Sequence, residues 1–349
     1  MNQPKKITRR RVLATGLAAA TILTAGGAGA QQRLPGAGRI ASPARPNWDS
    51  FWFGQHVVDL GMQRLGYRVE AARTLTPAAI FTSMARGDLH YCADTILPNH
   101  AEFYARVQAY VMPVGPIMNP GTIQGYMIDK ATAERHNIRY LEDFQRPEIA
   151  RLFDQNGDGK AEMIGPSASW VGSAAVSAHH MRTLGLERTI NVVQGEYLTL
   201  AADAVGRHAS GQPIFLYTWY PNPTTMRLLP GRDLVWLQLR NPTLPADQIQ
   251  QYQPLPDVPG CAANPCHVGW LPTVYYIGVN KRWAAENPAA HEFFKQFRMV
   301  LQDRRDQNAK MLAGENREED IHRHARAWIG ANQQRFDSWI EAAIAAART

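Results

Sequence analysis

Gly165-Pro-Ser-Ala-Ser-Trp-Val-Gly-Ser173 runs directly into Ala174-Ala-Val-Ser-Ala-His-His180. Small hydroxyl residues stand before an alanine-rich run, which predicts a helix beginning in this turn. A helix start carries unpaired N–H groups and the positive end of the dipole, so it suits an anion such as a carboxylate. Trp170 projects from the same turn, and an indole face attracts a cation. One turn therefore offers a seat for each end of a small zwitterion. The competing reading is a capped helix whose tryptophan belongs to the core.

The flanking segments supply a frame. Upstream, Thr76-Pro77 reads as a helix start, with Thr as N-cap and Pro in the first position; Gly87 stops this helix. Leu89–Ala93 then reads as a buried strand ending at Thr95-Ile-Leu-Pro98. Downstream, Tyr197–His208 reads as a helix, Gly211 as its stop, and Pro213–Tyr217 as a strand ending at Thr218-Trp-Tyr-Pro221. This rhythm predicts a mostly parallel sheet covered by helices. Ligands of open α/β sheets bind beyond the carboxyl ends of strands, so two similar strand ends predict two lobes facing each other across a cleft. Further strands are expected at Thr122–Ile128, Asp233–Leu237 and Thr273–Val279. Helices are expected from Trp52 to Leu65, after Asn287-Pro288, and over Asp320–Ala347. A Pro-rich loop covers Asn241–Leu271.

The formal charge of +7 is concentrated at the start. Residues 1–30 hold Lys5, Lys6, Arg9, Arg10 and Arg11 and no acid, leaving the body at about +2. Nothing in that balance points to nucleic acid. Thr8-Arg-Arg-Arg-Val-Leu13, an apolar run and Ala28-Gly-Ala30 resemble a twin-arginine export signal, with an uncleaved anchor as the alternative. Export to the periplasm follows, and in an oxidising compartment Cys261 and Cys266 form a plausible disulfide. Cys92, in a buried strand, reads as an inert thiol.

Asp154-Gln-Asn-Gly-Asp-Gly-Lys-Ala-Glu162 has the opening spacing of a calcium loop, with Asp154, Asn156, Asp158, Lys160 and Glu162 as candidate ligands. The twelfth position is Gly165 rather than the usual Glu, so an Asx-rich turn without metal is the alternative. Any ion held there is structural. His179-His180 and His322-Arg-His324 read as solvent-facing helix histidines rather than metal sites. The sequence has no Gly-x-Ser-x-Gly elbow, no His-Glu-x-x-His and no phosphate-binding Gly loop. The most informative residues are aromatic: Trp170, Tyr217, Trp219 and Tyr220 in one expected lobe, Trp48 and Trp52 in the other. Several tryptophans at strand ends fit an aromatic cage for a small cation.

These segments, taken in order, resemble the substrate-binding proteins of glycine betaine/proline ABC importers. The resemblance is carried by Leu65-Gly-Tyr67, Gln124-Gly-Tyr-Met-Ile-Asp-Lys130, Ala150-Arg-Leu-Phe-Asp-Gln-Asn-Gly-Asp-Gly-Lys-Ala161 and Tyr217-Thr-Trp219. It continues through Leu234-Val-Trp-Leu-Gln238, Val279-Asn-Lys-Arg-Trp283, Glu286-Asn-Pro-Ala-Ala290 and Gln334-Arg-Phe-Asp-Ser-Trp339. It implies a two-lobe type II periplasmic-binding-protein fold of the α/β class with a central ligand cleft. Residues 34–121 and 272–349 would form lobe 1 and residues 122–271 lobe 2. It also implies a cage of three tryptophans around a quaternary ammonium. Trp170 and Trp219 match two of them, whereas Ile96 stands at the third, before a matching Pro98 and His100. Backbone N–H groups around Ser169, Val171 and Gly172 would take the solute's carboxylate.

The resemblance implies a monomeric, non-catalytic periplasmic receptor that delivers a zwitterionic solute to a membrane permease and its ATPase. Calcium is the only cofactor candidate. Ile96 leaves two possibilities open. Trp48, Trp52 or Trp270 replaces the missing ring, or the solute is different: a sulfonium zwitterion, an aromatic betaine or an amino acid. A receptor feeding a sensor is a further alternative. So is a periplasmic enzyme on the same fold, with His100 as its base.

Overall fold

Residues 33–348 are described by a computed structural model, so the expected export signal lies outside the described part. Tyr91–Leu97 is buried almost throughout, as a central strand covered on both faces must be. It lies inside a five-stranded sheet ordered Arg73–Leu75, Pro43–Pro46, Tyr91–Leu97, Val274–Asn280, Val111–Met118. A second five-stranded sheet runs Leu234–Leu237, Ile123–Asp129, Phe215–Tyr220, Ala161–Ile164, Ile190–Val193. In each sheet a single strand opposes the other four. It is Val274–Asn280 in the first and Ile123–Asp129 in the second.

That pattern has a simple cause. The other strands end at the edge where the chain crosses between sheets. A chain that has just crossed enters its new sheet from that edge and must run the opposite way. The expected parallel sheets are therefore mixed, and the carboxyl ends of four strands and the start of the fifth meet at one place.

The helices follow their sequence signals with local exceptions. Pro77–Arg86 ends at Gly87, which takes the left-handed φ of 85° that favours glycine. Thr76 stands at the N-cap but its hydroxyl makes no capping bond. The expected C-terminal helix is two, Glu318–Ala331 and Gln333–Ala346. Asn332 separates them, with both its backbone N–H and its side-chain amide donating to Trp328 O at 2.9 Å. Leu301–Leu312 forms a helix that the sequence reading did not place. His180 and His324 are buried, contrary to expectation. His180 bridges Tyr126 OH (2.9 Å) and Thr243 O (2.8 Å).

Each sheet has its own core. Phe144 stacks on Phe215 at 4.3 Å in the second sheet, and Phe293, Phe294, Phe297 and Trp339 cluster on the first. Cys261 and Cys266 are joined across their short loop, with Cα atoms 6.0 Å apart. Cys92 is buried, and burial pushes its thiol well above the ordinary range, so it stays protonated.

The two chain crossings are bonded to each other. Gly121 N–H donates to Thr273 O (2.8 Å), Thr122 N–H to Thr273 Oγ1 (2.7 Å), and Thr273 Oγ1 lies 3.0 Å from Thr122 Oγ1. A Cβ at residue 121 would stand 2.6 Å from Thr273 O, so only glycine permits this approach. Replacing Thr273 by Val keeps the shape but strips the buried Thr122 N–H of its acceptor. The cost is expected to be about 1–3 kcal/mol, read as a lower urea midpoint with an unchanged slope. A midpoint equal to that of the parent would show that the crossing does not depend on this bond.

Candidate ligand site

The strand ends and the crossings border a cavity with about 460 Å3 of non-atom space, open solvent included. Trp48, Ile96, Asn99, His100 and Tyr275 reach it from the first sheet, and Gln124, Trp170, Ser173, Tyr217 and Trp219 from the second. Thr122 and Thr273 line it at the crossings, and Arg304 reaches it from the Leu301–Leu312 helix.

Three tryptophans form its aromatic wall. Trp170 sits at the N-cap of the Val171–Thr183 helix, and Trp219 near the end of Phe215–Tyr220. Their centroids are 5.5 Å apart with planes at 74°. Trp48 stands 5.4 Å from Trp170 with planes at 83°. Edge-to-face rings of this kind are walls of a box rather than a stack. Tyr197 backs the wall, 5.2 Å from Trp170 and 5.1 Å from Trp219, and its hydroxyl donates to Tyr217 O at 2.9 Å.

Trp48 is fixed in turn by its indole N–H, which donates to Asp94 Oδ2 at 2.6 Å. Asp94 is the polar exception in the buried Tyr91–Leu97 strand. Burial pushes its carboxyl up to about 6, while the Arg304 charge and the Trp48 bond pull the other way.

The ring that joins the pair is thus Trp48. Trp52 faces elsewhere, donating to Pro46 O at 2.9 Å under the Arg45 guanidinium, 3.8 Å from its centroid. Trp270 lies behind the wall, 4.9 Å from Tyr217. Ile96 does line the cavity.

The helix start differs from expectation. Trp170 and Ser173 face the cavity, but Ser169, Val171 and Gly172 are not on its wall. Ser169 Oγ pairs with Ser167 Oγ at 3.1 Å, and Val171 packs against the apolar cluster around Phe103. Gly172 is pressed against Asn99, whose carbonyl oxygen would stand 2.1 Å from any Cβ there. Asn99 also donates to Ser173 Oγ (2.9 Å) and Gln124 Oε1 (3.1 Å) and accepts from Gln124 Nε2 (3.0 Å). Tyr217 OH donates to the same Gln124 oxygen at 2.9 Å. Asn99 belongs to the first sheet's loops and its partners to the second, so these bonds link the two sides.

His100 lines the cavity but has little to offer as a base. Its Nδ1 accepts from Ile96 N–H at 3.1 Å, and its ring packs among Trp48, Phe81 and Phe103. Burial lowers its pKa to about 3, so the ring is neutral with its free lone pair already used.

Sequence reasoning missed Arg304. It is 1 % exposed, lies over the Tyr275 ring at 4.9 Å, and donates through Nη2 to Ser50 Oγ at 2.7 Å. Nε and Nη1 have no hydrogen-bond partner among the described residues. Thr122 Oγ1 and Tyr275 OH, 3.2 Å apart, add hydroxyls to the wall that no motif announced.

Apart from the cavity, Asp154, Asp158 and Glu162 bring carboxylate oxygens within 4.8 Å of one another. Asp154 Oδ1 accepts from Gly157 N–H at 2.6 Å and Oδ2 from Gly159 N–H at 2.8 Å. The Asn156 amide donates to Glu162 Oε1 at 2.9 Å, while Lys160 turns its ammonium away to Glu187 O at 3.1 Å.

Residues 42–331 match the family described as the substrate binding domain of ABC-type glycine betaine transport systems. The glycine betaine/proline betaine-binding periplasmic protein of Salmonella typhimurium is 36% identical over 329 residues, 94% of this chain and 96% of the relative. The Escherichia coli protein of the same description is 35% identical over 315 residues, 90% of this chain and 92% of the relative. Among solved structures, lactococcal OpuAC closed on glycine betaine aligns with TM-score 0.63 and 18% identity, covering 86% of this chain and 99% of that one. A choline-binding protein of an ABC transporter in complex with choline aligns with TM-score 0.62 and 17% identity, covering 88% and 96%. Both share the two-lobe α/β fold. No helix among the described residues is long and apolar enough to cross a membrane.

The state of His100 is open to a direct test. Its folded pKa lies below the ordinary 6.5, so the unfolded chain binds more protons between about 3 and 6.5. Its contribution to stability is full above 6.5 and is lost as pH falls through that window. The stability difference between the parent and His100→Asn is therefore expected to be flat from pH 7 to 8 and to shift against the parent as pH falls from 6.5 toward 4. A difference that changes between pH 7 and 8 would mean that His100 titrates there and remains a candidate base.

Proposed function

The chain belongs to the family of substrate-binding domains of ABC-type glycine betaine transport systems, and on that premise we propose that it is a periplasmic receptor for a quaternary-ammonium zwitterion of the glycine betaine type. The Trp48, Trp170 and Trp219 trio carries this reading. Three indole rings around the cavity hold a trimethylammonium-like cation by attraction to their π systems. They ask nothing of it in hydrogen bonds, which such a cation cannot donate.

Ile96 is compatible with this, because Trp48 supplies a third ring from a neighbouring loop. The names of the Salmonella and E. coli relatives support both the solute class and the compartment. The sequence of residues 1–30 supports export. Closure, with Asn99 bonding the two sides together, would bury the solute and present both lobes to a permease that works with an ATPase. We count the protein as a receptor rather than an enzyme, since the one imidazole on the wall is neutral and already bonded.

Trp48→Ala is expected to weaken glycine betaine binding by about tenfold or more, from loss of ~1–2 kcal/mol of desolvated cation–π attraction. Trp52→Ala, four residues away, is expected to leave affinity unchanged. Isothermal titration of both variants decides the matter, and equal losses would sink the assignment of Trp48 to the cage.

The proposal extends to a structural calcium ion in the Asp154–Glu162 loop. Three convergent carboxylates and a lysine that faces away suit a hard cation. Calcium is expected to raise the melting temperature relative to a chelator, and Asp158→Ala to abolish that rise without altering betaine affinity. A calcium response that survives in the variant would place the ion elsewhere.

A further inference from the structure

We propose that Arg304 is the anion receptor of the cavity, so that the receptor selects solutes carrying a carboxylate and rejects quaternary ammonium cations that lack one. This rests on the functional reading above and deepens it. A guanidinium stays protonated under all ordinary conditions. Burying one is costly unless it is paired and hydrogen-bonded. Arg304 is 1 % exposed, yet its single hydrogen bond goes to a neutral hydroxyl, Ser50 Oγ. Its Nε and Nη1 lack partners among the described residues, and the residue lines the same cavity as the three tryptophans. Each of these two nitrogens pairs with Nη2, whose second hydrogen is not the one given to Ser50, in one of the two forks by which a guanidinium grips a carboxylate with parallel hydrogen bonds.

The nearby acids do not supply that partner. Asp94 Oδ2 accepts from Trp48, and burial raises its carboxyl; Asp49 is half-buried and its carboxyl is raised as well. Both feel the Arg304 charge, but Asp49 Oδ1 and Asp94 Oδ1 are themselves without hydrogen-bond partners. The guanidinium carbon lies over the Tyr275 ring, 4.9 Å from its centroid, which places the group against one wall. The helix start expected to seat the anion is covered at Gly172 by Asn99.

A zwitterion therefore fits with its ammonium in the tryptophan box and its carboxylate on Arg304. A bare cation such as choline meets a fixed positive charge in the same small space and has nothing to neutralise it.

The test titrates purified protein with glycine betaine and with choline, for the parent, Arg304→Met and Arg304→Lys, with a melting curve for each. Methionine keeps much of the side-chain volume without the charge, and lysine keeps the charge without the fork. The parent is expected to prefer glycine betaine over choline by ~100-fold or more. Arg304→Met is expected to lose ~30-fold or more for glycine betaine while choline affinity stays level or rises, because Asp94 remains without the opposing charge. Arg304→Lys should fall between the two. The preference is a ratio within one variant, so a general loss of stability cancels. A parent that binds both solutes equally, or a methionine variant that loses both alike, overturns the role of Arg304 and leaves the receptor reading intact. A parent that binds neither solute overturns the reading itself.

Discussion

Attraction between a desolvated cation and indole faces works only if the rings are held apart and water is kept out. Trp48, Trp170 and Trp219 meet edge to face rather than stacking, so faces remain available to the cavity. Each ring is held by a different part of the fold. Trp48 hangs on Asp94, Trp170 stands at the N-cap position of a helix, and Trp219 lies near a strand end, with Tyr197 behind both Trp170 and Trp219. The buried Asp94 is the cost of fixing Trp48, since a carboxyl in that strand must be desolvated. Stability is thus spent in the strand to hold a ring at the site.

The crossings make the box possible. Because the chain enters each sheet from the edge where the other strands end, all the residues that face the cavity gather at one margin. The mutual bonds of Gly121, Thr122 and Thr273 hold the two sheets together at that margin. Beside them, Asn99 bonds to Gln124 and Ser173, and Gln124 donates in turn to Leu271 O. The backbone bonds of the crossings and these side-chain bonds thus join the sheets at one margin.

Much of this was legible in the sequence, and the reasons for the rest are specific. Trp170 and Trp219 stand beside punctuation, a small-residue helix start and a strand ending in Pro221, so their position at a margin could be read. Trp48 and Trp52 are one helical turn apart, and pattern alone could not say which faces in. The short 3-10 turn Asp49–Phe51 breaks the register between them and sends Trp52 to the Arg45 side. Arg304 was invisible for another reason. It sits in Leu301-Gln-Asp-Arg-Arg-Asp-Gln-Asn308, where a charged run reads as a solvated face. In the fold Arg304, Gln307 and Asn308 are buried together while Arg305 is exposed. Val171 and Gly172 were misplaced because the sequence marks a helix start without showing which loop will cover it.

An ammonium-bearing solute is expected in a box whose third ring is Trp48, and a crystal structure of the protein grown with glycine betaine would show it there. The trimethylammonium carbons are then expected to lie within about 6 Å of the Trp48, Trp170 and Trp219 ring centroids. Electron density for the solute away from these rings, or a Trp48 side chain turned out of the cavity when the solute is bound, would contradict it.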